Sequence, residues 1–239
     1  LAVLPKYILM TDLLRVIVFC LVATTAKADS IISNSSFETG NGQGADQWNC
    51  SLSVPPVRSE AEAHSGKFSM RSTLKNAGAV PSEGHLSQSV NSGIVEGKTY
   101  DLTFWAKQTD FGVSYVQEYM VEWHDDNGAR LPGKGLTNFK GQKDWAKVFV
   151  PDLVAPVGAT GVRLMFRFVT GAVKGGSGEI FIDDVAIKRS DYTEEYNKFL
   201  KANPAVAKAI KGGKISKEKV LAGIRSREEE KSADNKTLK

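Results

Sequence analysis

Two glutamates, Glu118 and Glu122, stand four residues apart in a segment that alternates apolar and polar residues, so both side chains leave the same face of an extended strand. A carboxylate pair on one face can serve general acid–base hydrolysis, which needs the groups ~5 to 9.5 Å apart. Here the backbones lie roughly 13 Å apart at ~3.3 Å per residue, so the side chains must lean together. A second acidic feature is Asp183, which the alternation of Phe181, Val185 and Ile187 places on an apolar face. A buried carboxylate is costly unless it finds hydrogen bonds, a cation or a metal. Glu38 follows Phe37 in the first expected strand. In a sandwich the first and last strands can lie side by side, which would bring Glu38 to Asp183. Two carboxylates meeting backbone carbonyls suit Ca²⁺, which takes six to eight oxygen ligands. Hydrogen bonds from backbone amides are the other way to satisfy the pair.

Other chemistries find little to work with. The histidines are His64, His85 and His124, and none stands at metal-ligand spacing from another, which argues against a zinc site or a nucleophilic triad. Gly175-Gly-Ser-Gly178 is followed by no helix and no Lys-Ser/Thr, so it reads as a hairpin and not a phosphate loop. Asp125-Asp-Asn-Gly128 has the letters of a calcium loop without its later acidic ligand, and reads as a turn.

The elements that position these residues are strands. Tyr100, Leu102, Phe104 and Ala106 alternate with Asp101, Thr103, Trp105 and Lys107; Tyr119, Val121 and Trp123 alternate with Glu118, Met120, Glu122 and His124. Val162, Leu164, Phe166 and Phe168 alternate with Arg163, Met165 and Arg167, and shorter strands are expected at 86–90, 145–150 and 178–187. Turn residues join them and no helix intervenes, so the strands pair antiparallel. An all-β jelly-roll sandwich of two facing sheets is the expected fold.

The sandwich is expected over residues 29–190. Before it, the apolar run Leu13 to Val22 and the small-x-small pattern Ala26-Lys-Ala28 read as a signal peptide over 1–28, with Met10 a plausible true start. The run is shorter than the ~20 residues that span a bilayer, so a secreted chain with no membrane span is expected after cleavage. Cys20 would leave with the leader, and Cys50 alone cannot form an intrachain disulfide. After Ser190, residues 191–239 read as a charged tail of two or three short amphipathic helices, with Pro204 at a first turn, Gly212-Gly213 at a stop and Ser216 as a cap. The formal charge of +4 resides there: residues 29–190 carry 16 Lys and Arg against 18 Asp and Glu, and the tail carries 12 against 8. A nucleic-acid function for the sandwich therefore finds little support.

Four islands carry a family resemblance: Asn34-Ser-Ser-Phe-Glu38-Thr-Gly40 with Trp48 after it; Ala63-His-Ser-Gly-Lys67-Phe-Ser-Met70; Leu86-Ser-Gln-Ser-Val90 followed by Gly97-Lys-Thr-Tyr100 and Phe104-Trp-Ala106; and Ile182-Asp-Asp-Val185. In this order they resemble the carbohydrate-binding modules of families 4, 9 and 22, galactose-binding-like jelly rolls attached to many cellulases and xylanases. The resemblance implies a structural calcium ion held by Glu38 and Asp183, with carbonyl oxygens from the loop Ser65 to Lys67. It also implies that sugar-binding residues line one solvent-facing sheet or its rim. Sugars are recognised by aromatic faces and by planar polar groups that bond hydroxyls in pairs. The outward faces put Trp105, Glu118, Glu122, Arg163 and Arg167 in candidate positions, with Lys107 and His124 at the strand ends and Trp48 and Tyr115 as secondary contacts. Cross-strand ion pairing is the plainer use of the Glu and Arg residues.

The expected function is a secreted, non-catalytic polysaccharide-binding module that keeps an attached or associated glycoside hydrolase near its substrate. Two alternatives differ in class. One is a structural or adhesive envelope jelly roll without sugar binding; the other is a jelly-roll glycosidase using Glu118 and Glu122. Jelly-roll enzymes of that kind keep a third carboxylate between the pair, and here Met120 holds that position.

Overall fold

The computed structural model describes residues 30–76, 78, 80–217, 219–224 and 227. The expected signal peptide lies outside the described residues, as does the end of the helical tail. The chain forms two compact units, 30–190 and a helical unit that includes 191–224.

In the first unit ten strands make two antiparallel sheets. They are β1 (Asn49–Ser51), β2 (Val57–Ser59), β3 (Ser69–Lys75), β4 (Glu83–Val90), β5 (Thr99–Val113), β6 (Tyr115–His124), β7 (Arg130–Asn138), β8 (Ala146–Val154), β9 (Gly161–Thr170) and β10 (Ser177–Arg189). The first sheet runs β1-β4-β9-β6-β7 and the second β2-β3-β10-β5-β8. The alternation seen in the sequence places Leu102, Phe104, Val121, Trp123, Leu164 and Phe166 between the sheets, each with at most 2% of its surface exposed. Phe104 meets Phe139 and Phe166 edge-on at 5.0 and 4.9 Å, an arrangement the ring quadrupole favours.

Six of the expected strands form, as β4, β5, β6, β8, β9 and β10, and four further ones appear. β1 and β2 have three residues each, too few to show a period. β7 carries Pro132, Gly133 and Gly135, residues that ordinarily interrupt strands; it lies on a sheet edge, where a missing donor is tolerated. The strand expected around Phe37 and Glu38 does not form. Asn34 and Phe37 adopt positive φ (46° and 58°), and the segment folds into turns that still touch the last strand through Ile31 N–H to Ile187 O (3.0 Å) and Val185 N–H to Ser35 O (2.8 Å).

One expectation about β10 is corrected. Asp183 does not face the intersheet core. Ile180 and Ile182 do, and a bulge between Asp183 and Ala186, with Asp184 at φ 47°, shifts the alternation so that Val185 and Ile187 return to the core. One extra residue exchanges the two faces of a strand, and the sequence pattern read straight through it. Phe181 and Asp183 lie on the outer face of the second sheet, opposite Lys107 and Trp105 of β5, and are buried there.

The second unit holds α1 (Thr193–Ala202) and α2 (Pro204–Lys211), with Pro204 at the first helical position, and helical turns over 219–224. Ser216 Oγ accepts the Lys219 amide at 3.2 Å, as an N-cap does. Tyr192, Tyr196, Val206, Val220 and Ile224 form its small core.

Candidate functional site

The outer face of the first sheet gathers four of the five expected sugar contacts. β6 and β9 pair so that Glu118 stands opposite Arg167, Met120 opposite Met165 and Glu122 opposite Arg163. Arg167 donates from Nη1 to Glu118 (2.7 Å) and from Nε to Glu83 on β4 (2.5 Å), while His85 Nε2 lies 2.9 Å from Glu83. Burial pushes the Glu83 carboxyl up, but the hydrogen bonds from Arg167 and His85 outweigh it and hold the group below its ordinary value. Glu122 pairs with Arg130 of β7 at 2.5 Å and is 3.7 Å from Arg163. Two guanidinium–carboxylate rows thus flank a thioether floor. Arg163 is the least engaged member, with that 3.7 Å contact, a 3.9 Å approach to the Met165 sulfur and a side chain 41% exposed. Glu83 and His85 precede Leu86, where the expected strand begins, three residues after the alternation Glu83, His85, Ser87 sets in; neither they nor the Met120–Met165 floor stands out in the sequence.

Trp105 belongs elsewhere. β5 pairs with β10 and β8 in the second sheet, so the core separates Trp105 from the four charged residues. Alternation tells inside from outside, yet a sandwich has two outsides. Half-buried Trp105 stacks on the His64 ring (centroids 3.8 Å apart, planes at 16°), and Trp145 meets the same ring edge-on at 5.7 Å. Lys107, on the same face, pairs with Glu62 at 2.8 Å. Trp48 is also spent on packing: it is buried against Phe37 and donates from Nε1 to Asn34 O.

Beside Trp105 the loop of residues 60–68 is held from two sides. Asp183 Oδ2 accepts the amides of His64 (2.8 Å) and Ser65 (3.1 Å), and Oδ1 accepts that of Asp184 (2.7 Å). Glu38 Oε1 accepts the amides of Lys67 (2.9 Å) and Phe68 (3.0 Å). Asp184 turns the other way, to His64 Nδ1 at 2.6 Å and the Ser65 hydroxyl at 2.7 Å. Gly66, at φ 62°, passes so close that a Cβ there would sit 2.4 Å from Glu38 Oε1. Burial pushes the Asp183 carboxyl up to about 6 against the opposing pull of the amide donors.

The convergence of Glu38 and Asp183 on one loop is therefore present, and its immediate partners are amide hydrogens. These oxygens suit a hard cation in kind. Glu38 Oε2 and one lone pair of Asp183 Oδ1 accept none of the five amides, and among the described residues neither carboxylate pairs with a Lys or Arg side chain. Lys67 sends its ammonium to Glu60 at 3.2 Å.

Residues 29–170 match a family model described as a carbohydrate binding domain. Among solved structures the chain is similar to the enzymatically active domain of tailspike protein 4 of bacteriophage CBA120, at 18% identity and a TM-score of 0.51, over 67% of this chain and 21% of that one. It also aligns with TmCBM61 in complex with β-1,4-galactotriose (20% identity, TM-score 0.45, 68% of this chain and 99% of that one). A third match is the CBM22-1 xylan-binding domain of Xyn10C from Paenibacillus barcinonensis (18%, 0.45, 68% and 95%). The chain spans about a fifth of the tailspike domain, and that likeness concerns the fold. No curated protein matches in sequence.

Proposed function

The chain belongs to the carbohydrate binding domain family that its residues 29–170 match, and from that membership we propose that the sandwich holds a polysaccharide on the outer face of its first sheet without cleaving it. The supporting observation is the arrangement across β9 and β6, with Arg167 opposite Glu118 and Arg163 opposite Glu122 on either side of Met165 and Met120. Guanidinium and carboxylate groups fixed by one another present planar donors and acceptors to paired hydroxyls, and prior ordering lowers the entropic cost of binding. A hydrolytic role fits this face poorly. Acid–base catalysis needs carboxyl groups free to give and take a proton, and Glu118 and Glu122 each commit an oxygen to a guanidinium, of Arg167 and of Arg130.

In this reading the domain works outside the cytoplasm, as the pattern before Asp29 supports, and raises the concentration of an attached or associated glycoside hydrolase at its substrate. Calcium belongs to the same proposal, on Glu38, Asp183 and the Lys67 carbonyl, supported by two carboxylates that meet at one loop and, among the described residues, pair with no Lys or Arg side chain. Thermal unfolding in EDTA and then with millimolar Ca²⁺ tests it. A rise in melting temperature that Glu38→Gln abolishes is expected; no rise leaves the amides as the sole clasp.

Affinity electrophoresis against glucans, xylans, mannans and galactans tests the sugar site. At least one polymer should retard the wild-type chain, and Arg163→Ala should weaken that retardation while leaving the melting temperature unchanged. Retardation by none of them favours the structural jelly roll. Sugar release abolished by Glu122→Gln would restore the glycosidase.

A further inference from the structure

The helical unit carries charge in a way the sandwich does not. On the sandwich several basic side chains are matched, among them Arg71 with Glu179, Lys107 with Glu62, Arg130 with Glu122, and Arg167 with Glu83 and Glu118. From residue 196 to 217 there are six lysines and no acidic residue. Lys198, Lys201, Lys208, Lys211 and Lys214 are all exposed, and among the described residues none of them has an acidic partner. Lys198 and Lys201 on α1, and Lys208 and Lys211 on α2, stand three apart, so each pair shares a helix face. Like charges at that spacing destabilise a helix, and the unit is small. On α2 the sequence nevertheless sets Lys208 and Lys211 away from the face of the buried Val206 and Ala209.

We propose that this lysine face binds an anionic polysaccharide, one bearing uronate carboxylates or sulfates, as a second contact independent of the sandwich. An ammonium group is a compact point charge, suited to scattered carboxylates or sulfates on a flexible polymer. Two other polyanions fit less well. A helix that lies in a lipid interface keeps an apolar face for the acyl chains, whereas the large apolar side chains of this unit gather into its own core, and among the described residues none from 191 to 224 is a large exposed hydrophobe. Nucleic-acid surfaces add arginine forks and stacking rings to their charge; here no arginine stands among the five lysines, Arg227 lies over the Phe199 ring at 5.9 Å, and Tyr192 and Tyr196 are buried.

The test uses the full chain in gels containing a polyuronate, with a neutral glucan gel, duplex DNA and phosphatidylserine vesicles as parallel arms. The variants are the fivefold Lys→Gln and Lys→Arg exchanges at 198, 201, 208, 211 and 214. Wild type and the Arg variant should be retarded by polyuronate, the Gln variant about tenfold or more weakly, with all retardation fading by ~0.5 M salt as the charges are screened. If the Gln variant loses its helix signal, the Arg variant and the salt dependence decide. Equal retardation of the Gln variant, no retardation of wild type, or tighter binding to DNA or vesicles than to polyuronate at equal charge concentration overturns the proposal. Neutral-glycan binding should be the same in all three proteins; its absence would count against the sandwich site and leave this one standing.

Discussion

Gly66 gives the sharpest measure of the loop clasp. Gly66→Ala meets two costs that can be separated. The first is conformational: φ 62° is left-handed, which costs a residue with a Cβ ~1–2 kcal/mol. The second is local: the new Cβ would lie 2.4 Å from Glu38 Oε1 and 2.6 Å from its carboxyl carbon, so the carboxylate must leave the Lys67 and Phe68 amides. Charge-assisted hydrogen bonds are worth ~1.5–3 kcal/mol each when protected. Glu38 is exposed, so water replaces much of that and about 1 kcal/mol in total is a fair loss. The sum is roughly 2–3 kcal/mol, or a melting point lower by ~4–12 °C for a domain of this size. Gly42 supplies the control. Its φ is 58°, and a Cβ there would meet nothing within 4 Å, so Gly42→Ala carries the conformational cost alone. Urea unfolding of the two variants in EDTA should show Gly66→Ala the worse by about 1 kcal/mol. Equal losses would mean that Glu38 does not hold the loop, and the clasp would have to be abandoned.

Three further outcomes follow from other contacts. Burial raises the Glu179 carboxyl, but bonds from Thr109, Thr73 and Arg71 outweigh it and the net shift is downward; its stabilisation is therefore present above the unfolded carboxyl range and lost as pH falls through the folded value, so Glu179→Gln should flatten the acid limb of a stability–pH curve. An unchanged limb would contradict this. Burial pushes the Cys50 thiol up to about 11, so alkylation at pH 8 in the folded protein should be about a hundredfold slower than in urea, followed by mass spectrometry. Trp105→Phe should leave polysaccharide retardation intact, since the residue lies on the second sheet under His64; lost retardation would move the sugar site there.

The long strands were legible because burial on one face imposes a period of two, and Tyr100–Lys107 or Val162–Phe168 display it without interruption. The pairing of Glu118 with Arg167 and Glu122 with Arg163 could be anticipated only as a shared exterior, since neither register nor sheet membership is written in alternation. Trp105 shows the consequence: its outward direction was right and its neighbours were not. Asp183 failed differently, because a bulge leaves no mark in a two-residue period. Its convergence with Glu38 on the loop 64–68 is nonetheless legible, through motif resemblance and the expected neighbourhood of the sandwich's first and last segments. His64, which links that loop to both Trp105 and Asp184, sat inside a recognised island, yet its partners lie about 40 and 120 residues away and no local pattern names them.

The margins of the two sheets bear on how such a domain behaves in crowds. β1 and β2 end one side of each sheet after three residues, while β7 carries Pro132 and Lys134, and β8 carries Lys147 and Pro151. Short, proline-broken or charged borders give a neighbouring chain no continuous ladder to extend. Crowded copies of the domain therefore meet without a flat, unbroken margin on which the backbone of one could extend the sheet of another.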